Sequence, residues 1–242
     1  MDLDEMISNS LRYPLQDIGK LLLLFLLMLG SFTIILLPFF YGYLLRIIEH
    51  TTHGYDELPA FNEWGKMFGD GVKYIFADII YLIIPVILII ISLFGFIGFA
   101  RHEITGTVFL VWVIVGIVGL VLYIILSLMF IMALSNMAYD ERFSSTFKFT
   151  KIWGLIKGIG LIKYFVYIVV VGIIAFIIDG LIPNIITIPI RSLGFTGFYL
   201  IILIISLPFS LYVAVYRSRF YGLIYLLGLE EEHGTEFNSE IE

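Results

Sequence analysis

Cysteine is absent from this 242-residue chain. That absence excludes disulfides, thiolate metal ligands and a cysteine nucleophile. Charge is scarce as well: Asp, Glu, Lys and Arg make up 14% of the residues, against roughly 25% in soluble domains. The chain holds 4 histidines and no HExxH pattern. His50 and His53, near Glu49, Asp56 and Glu57, read as a solvated loop and not as metal ligands. The GxxxxGK[ST] order of a phosphate-binding loop is missing around Gly65, Gly69 and Gly71. No Ser-His-Asp order or paired carboxylate marks a hydrolytic site. Met1–Asp17 carries Asp2, Asp4, Glu5 and Asp17 against Arg12, and so lacks the basic start and small-residue cleavage site of a secretory leader. With the chemistry so thin, the expectation is a protein that is not an enzyme and carries no metal or other cofactor.

What remains is apolar. Hydrophobic residues make up 60% of the chain and the mean hydropathy is +1.03. A soluble core of this length needs no such excess, so lipid is the second solvent. The expected fold class is all-α: a polytopic helical membrane protein of four to six transmembrane helices, with a re-entrant or broken first helix and interfacial amphipathic helices. Residues 1–229 form a single integral membrane domain. Residues 230–242, with six glutamates, read as an acidic, disordered C-terminal tail.

Residues 3–16 space Leu3, Met6, Ile7 and Leu11 as an amphipathic surface helix ended by Pro14. Leu21–Ile48 is longer than the ~20 residues of one span. Gly30-Ser31 and Pro38 interrupt it, so it is one long kinked span or two half-helices that return to their own side. Further spans are expected at Ile79–Ala100, within Ile104–Tyr139, from Tyr164 towards Asp179, and at Gly197–Tyr216. A tight turn is expected at Arg101-His102-Glu103 and an irregular connection at Gly180–Phe195, which holds Pro183 and Pro189. If the first block returns, twelve of the 14 lysines and arginines lie on one side. If it spans, ten do. The positive-inside rule favours the return, and places residues 49–73, 140–163 and the C-terminus in the cytoplasm at the cell membrane.

Two polar connections stand out. Gly42–Lys73 carries Leu58, Phe61, Trp64, Met67, Phe68 and Val72 among its charges, and is expected to dock back on the spans with Trp64 as anchor. Within it, Asp70 and Lys73 can pair three apart on a helix. Asp140–Lys163 sets five basic residues among Phe143, Phe147, Phe149 and Trp153, and is expected to contact anionic headgroups. The two echo each other, Tyr55-Asp56-Glu57 recurring as Tyr139-Asp140-Glu141. Asp78 and Asp179 are the acids closest to the bilayer, where ionisable groups are costly and often functional.

The residues LRYP (11–14), GYLLR (42–46) and DELPAFNEWGKMFGDGVK (56–73) resemble an uncharacterised prokaryotic membrane family, domain of unknown function 4013, common in archaea. The resemblance implies an integral membrane protein and transfers no activity or catalytic residue. The functional expectation is a non-enzymatic scaffold or lipid- and partner-interacting protein. Its partners are the bilayer and a protein partner or second copy, with no nucleic acid. The alternative is a small transporter or channel with Asp78 and Asp179 lining a polar path. The residues singled out for function or packing are Arg46, Trp64, Asp70, Lys73, Asp78 and Asp179.

Overall fold

The structure, a computed structural model, describes residues 2–101, 105–191 and 198–239, and the side chains of 2–101, 105–188 and 204–232. Among these residues it is helical, with no strand. Helix α1 (Leu3–Arg12) sets Asp4 and Glu5 in its first turn and Arg12 in its last, complementing the helix dipole. A 3-10 turn at Tyr13–Leu15 takes up Pro14. Helix α2 (Ile18–Gly30) starts where the Asp17 carboxylate accepts the Lys20 amide N–H at 3.0 Å.

The expected break follows Gly30. The Ser31 and Thr33 hydroxyls donate back to the Met28 and Gly30 carbonyls, which offers the backbone an alternative to the helix. Helix α3 (Leu37–Thr52) then begins with Pro38 in its first turn, where a missing N–H has no partner to lose. Pro38 thus opens a helix and does not kink one. Leu24 and Leu27 of α2 pack with Phe40, Tyr43, Leu44 and Ile47 of α3. Lys20, near the start of α2, donates to the Leu58 carbonyl, beyond the end of α3, at 2.7 Å. The first apolar block therefore runs out and comes back to its own end.

Helices α4 (Trp64–Ala100) and α5 (Gly106–Asp140) form a long antiparallel hairpin. The second span, expected from Ile79, is the upper part of one helix of 37 residues that already starts at Trp64. The polar connection shortens to residues 53–63. The turn expected at Arg101-His102-Glu103 lies largely outside the described residues. A 3-10 turn (Phe143–Phe147) leads to α6 (Phe149–Ile159), then α7 (Leu161–Ala175), a π turn (Phe176–Leu181) and α8 (Ile182–Arg191). The connection expected to be irregular from Gly180 is helical as far as Arg191. Pro183 explains the π turn: with no N–H it cannot bond the Asp179 carbonyl, and the helix widens there. Helix α9 (Phe198–Ser239) takes in residues 198–216 of the last expected span. The acidic end begins as the last turns of α9, and Glu231 lies 3.4 Å from Lys163.

Among the described residues three runs are long and apolar enough to cross a membrane: Trp64–Ala100, Gly106–Asp140 and Leu161–Ile188. The count is four if Leu3–Leu15 and Ile18–Gly30, bent by 79°, form one broken span. The packed core lies at one end of these helices. Helix α5 exposes Leu120, Val121, Ile124 and Ile125, yet buries every residue from Phe130 to Ala138. Helix α3 is buried from Gly42 to Ile48, Arg46 included. It crosses α4 so closely that a Cβ on Gly42 would strike the Met67 carbonyl, and one on Gly71 the Pro38 carbonyl.

Arg219 of α9 ties this end together and is only 2% exposed. Its Nε donates to Asn9 Oδ1 at 2.9 Å, and one terminal nitrogen donates to Thr51 Oγ1 at 3.2 Å and the Tyr55 carbonyl at 2.6 Å. The other terminal nitrogen donates to the Asp56 carboxylate. The guanidinium lies 4.6 Å from the centre of the Tyr13 ring. One side chain thus joins α1, the 3-10 turn, α3, the following loop and α9. Asp56 is 79% exposed, so its Coulomb share is screened. The neutral hydrogen bonds and the ring contact carry the rest. Arg219→Ala is expected to cost on the order of 3 kcal/mol, about 1 kcal/mol per lost bond, and Asp56→Asn well under half of that. Thermal unfolding of the purified protein in detergent checks both; equal losses would contradict this division.

Candidate functional site

Two polar sites line α4. The first begins with Lys66, Asp70 and Lys73, which fall on one helix face at spacings of four and three. That face meets the ends of α3 and α5. Lys66 Nζ lies 3.0 Å from Glu49 and 2.9 Å from Glu141, and Lys73 Nζ lies 2.8 Å from Asp70. With Leu45, Met137 and Ala138 these groups surround a cavity of about 140 Å³. The pairing expected of Asp70 and Lys73 is present. Every charge here has an opposite neighbour, and the cavity is smaller than the roughly 300–1,000 Å³ of small-molecule sites. The arrangement clamps three helices. Lys66, which holds two carboxylates from different helices, was not singled out by the sequence.

The second site lies further along the same helix. Tyr74 and Asp78 on α4, Tyr123 and Ser127 on α5, Ile168 and Gly172 on α7, and Arg217 and Tyr221 on α9 surround one cleft of about 370 Å³. Each pair is four residues apart, so each helix presents one short strip to the cleft. Asp78 borders the uncharged run 79–100 and Arg217 ends the uncharged run 198–216. The cleft therefore sits where the charged end of the molecule gives way to its apolar arms. Asp78 and Arg217 make no ion pair or hydrogen bond among the described residues. Neither do the hydroxyls of Tyr74, Tyr123 and Tyr221, whereas Ser127 donates to its own helix at Ile124. The cleft offers one cation, one anion and three phenols. Among the described residues no group of three or more His, Asp or Glu side chains is placed to hold a metal.

The remaining singled-out residues lie elsewhere. Arg46, buried on α3, donates to the carbonyls of Ala60 (3.1 Å) and Asn62 (2.8 Å) and to Asn62 Oδ1 (3.0 Å). It thereby holds the loop 58–62 on the core, with Leu58 buried and Phe61 stacked 4.1 Å from Tyr43. The stretch docks as expected, but Trp64 is not its anchor. Its ring is 45% exposed, 5.9 Å from Phe39, and Leu58, Met67 and Arg46 do the anchoring. Asp179 sits in the π turn, where its carboxylate accepts from the Ser210 hydroxyl of α9. Asp179 is not among the cleft-lining residues, so the structure does not bring it together with Asp78. Asp140 binds Ser145, Lys148 and Lys151, as Asp56 of the echoing triplet binds Arg219.

No motif in the sequence marks Arg217 and Arg219 as functional. The available signal was their spacing. Two residues apart on a helix, they point to nearly opposite sides, one into the core and one into the cleft.

A family model described as a protein of unknown function, DUF4013, matches residues 25–188. That match takes in α3 to α7 and Asp78, and stops short of Arg217 and Arg219. The chain is also similar to the uncharacterized protein MJ1189 of Methanocaldococcus jannaschii, 27% identical over 207 residues, covering 78% of this chain and 69% of that protein. No solved structure matches.

The Lys66 clamp yields a pH dependence. The hydrogen bond from Lys66 holds the Glu141 carboxyl below its ordinary value. A depressed carboxyl adds stability above its unfolded pKa and loses it as pH falls through the folded one. Glu141→Gln should therefore melt lower than the parent near neutral pH, by a small margin because Glu141 is half exposed. The gap should close below about pH 4. A gap that persisted or widened in acid would contradict the pairing.

Proposed function

Because the chain belongs to the DUF4013 family, whose description assigns no activity to inherit, we propose from its own geometry that it is a non-enzymatic integral membrane protein that binds an amphiphile. The carrying observation is the cleft between the α4–α5 hairpin and helices α7 and α9. It sets Asp78 and Arg217, both without ion pairs among the described residues, beside apolar helix runs. Arg217 is exposed and Asp78 half-buried, and a charged group bordering an apolar run is costly where lipid reaches it unless something complements it. An amphiphile places a polar head at that level and a tail along the apolar arms. Nothing in the cleft pairs a nucleophile with a base, which supports binding over catalysis.

The packed polar end lies in the cytoplasm in this reading. With the first block returning to its own end, the positive-inside rule applies to twelve of the 14 lysines and arginines. Helix α6 turns Ile152, Leu155, Ile156 and Ile159 inward. That leaves Trp153, with the Lys157 ammonium 5.6 Å from its ring centre, on the outer side to meet anionic headgroups. A transporter path lined by both Asp78 and Asp179 is less favoured, since the two acids do not share the cleft.

Gly172 provides a clean test. A Cβ there meets nothing within 4 Å, so Gly172→Trp plugs the cleft without forcing the backbone. Native mass spectrometry of the detergent-purified protein should show a retained amphiphile on the parent, and none on a plugged variant that still unfolds cooperatively and melts like the parent stripped of its amphiphile. A parent that carries no amphiphile, or a plugged variant that keeps it, would overturn the reading.

A further inference from the structure

Resting on the reading of the cleft as an amphiphile site, we infer that the bound head carries a phosphate seated on Arg217 and a hydrogen-bond donor, ammonium or hydroxyl, seated on Asp78. The lysines nearest on α4 are committed elsewhere: Lys66 to Glu49 and Glu141, and Lys73 to Asp70. Arg219, two residues from Arg217, is enclosed in the core. Arg217 is thus a cation that lines the cleft and, among the described residues, makes no ion pair. A guanidinium presents a planar fork of N–H donors that matches phosphate oxygens two at a time. Tyr221, one turn further on α9, and Tyr74 across the cleft add hydroxyls that can donate to the same oxygens.

Asp78 sets the orientation. A carboxylate repels phosphate and accepts from a donor, so a head with both groups binds with its phosphate towards α9 and its donor towards α4. A phosphate-free head would leave Arg217 uncompensated next to apolar helix, and a head without a donor would leave Asp78 so. The cleft volume of about 370 Å³ falls within the range of small-molecule sites and admits a head of this size. Two sources share this chemistry, a phospholipid and a free phosphate ester, and they differ in whether the tails contribute.

The test uses the full chain in detergent, freed of co-purified amphiphile by repeated detergent exchange, and follows its melting temperature during titration with phosphatidylethanolamine, phosphatidylglycerol, diacylglycerol of the same tails, and glycerol 3-phosphate. A ligand that binds the folded state raises the melting temperature in proportion to its occupancy. Both phospholipids should shift it, and diacylglycerol should not. Arg217→Gln should weaken the phospholipid response about tenfold or more, and Arg217→Lys should recover part of it. Asp78→Asn should weaken the ethanolamine lipid more than the glycerol lipid, a selectivity that a merely structural role would not produce. If diacylglycerol matches the phospholipids, the phosphate assignment fails while amphiphile binding stands. If glycerol 3-phosphate matches them, the tails contribute nothing and the membrane source is wrong. If no amphiphile shifts the parent, both readings fall together.

Discussion

A buried guanidinium organises this molecule. Arg219 must be desolvated to reach its place, at a cost that only a full set of acceptors and a packed ring offsets. The acceptors come from far apart in the chain: Asn9, Thr51, Tyr55 and Asp56. None of them is near Arg219 unless α2 and α3 have already run out and returned. The arginine is therefore compatible with one path of the first apolar block and incompatible with a simple span. Arg46 repeats the device on a smaller scale, taking its acceptors from the loop backbone, so that residues 58–62 lie on α3.

From that end the long helices extend as arms. Their sides expose Ile, Leu, Val and Phe almost without interruption along α4 and α5, a surface suited to lipid and not to water. Stability is concentrated where α3 is enclosed and α4 and α9 cross it; the arms draw theirs from the bilayer. The cleft with Asp78 and Arg217 falls at the junction. Among the described residues Asp78 and Arg217 there make no ion pair, whereas Lys66 and Lys73 nearby are paired. That contrast gives the cleft more weight as a binding site than its volume alone.

The helical membrane class was legible in composition, and the broken first block in Gly30-Ser31 and Pro38. The return of that block was legible in the distribution of lysine and arginine. Other features were hidden for physical reasons. The run 64–78 carries four charges, so it reads as a connection, yet Lys66 is met by Glu49 and Glu141, Lys73 pairs with Asp70 on the same helix, and the helix continues unbroken. Pro183 signals a break, but a π turn absorbs its missing bond. Trp64 looks like an anchor because tryptophan often is one, whereas the smaller Leu58 fills the site. Asp78 was found by its position against an apolar run; its partner in the cleft, Arg217, lies 139 residues later and only the fold brings them to one cavity.

The central claim is that α1, the loop after α3 and the paired ends of α4 and α5 share one side of the membrane, with the α4–α5 turn on the other. The chain has no cysteine, so single cysteines report cleanly. Asp4→Cys, Glu63→Cys and Thr107→Cys, all at exposed positions, can be probed in intact cells with a membrane-impermeant maleimide. The account predicts that Thr107→Cys is labelled and that Asp4→Cys and Glu63→Cys are labelled only after the membrane is permeabilised. Labelling of Asp4→Cys but not Glu63→Cys in intact cells would mean that the first apolar block spans the bilayer, and would contradict it.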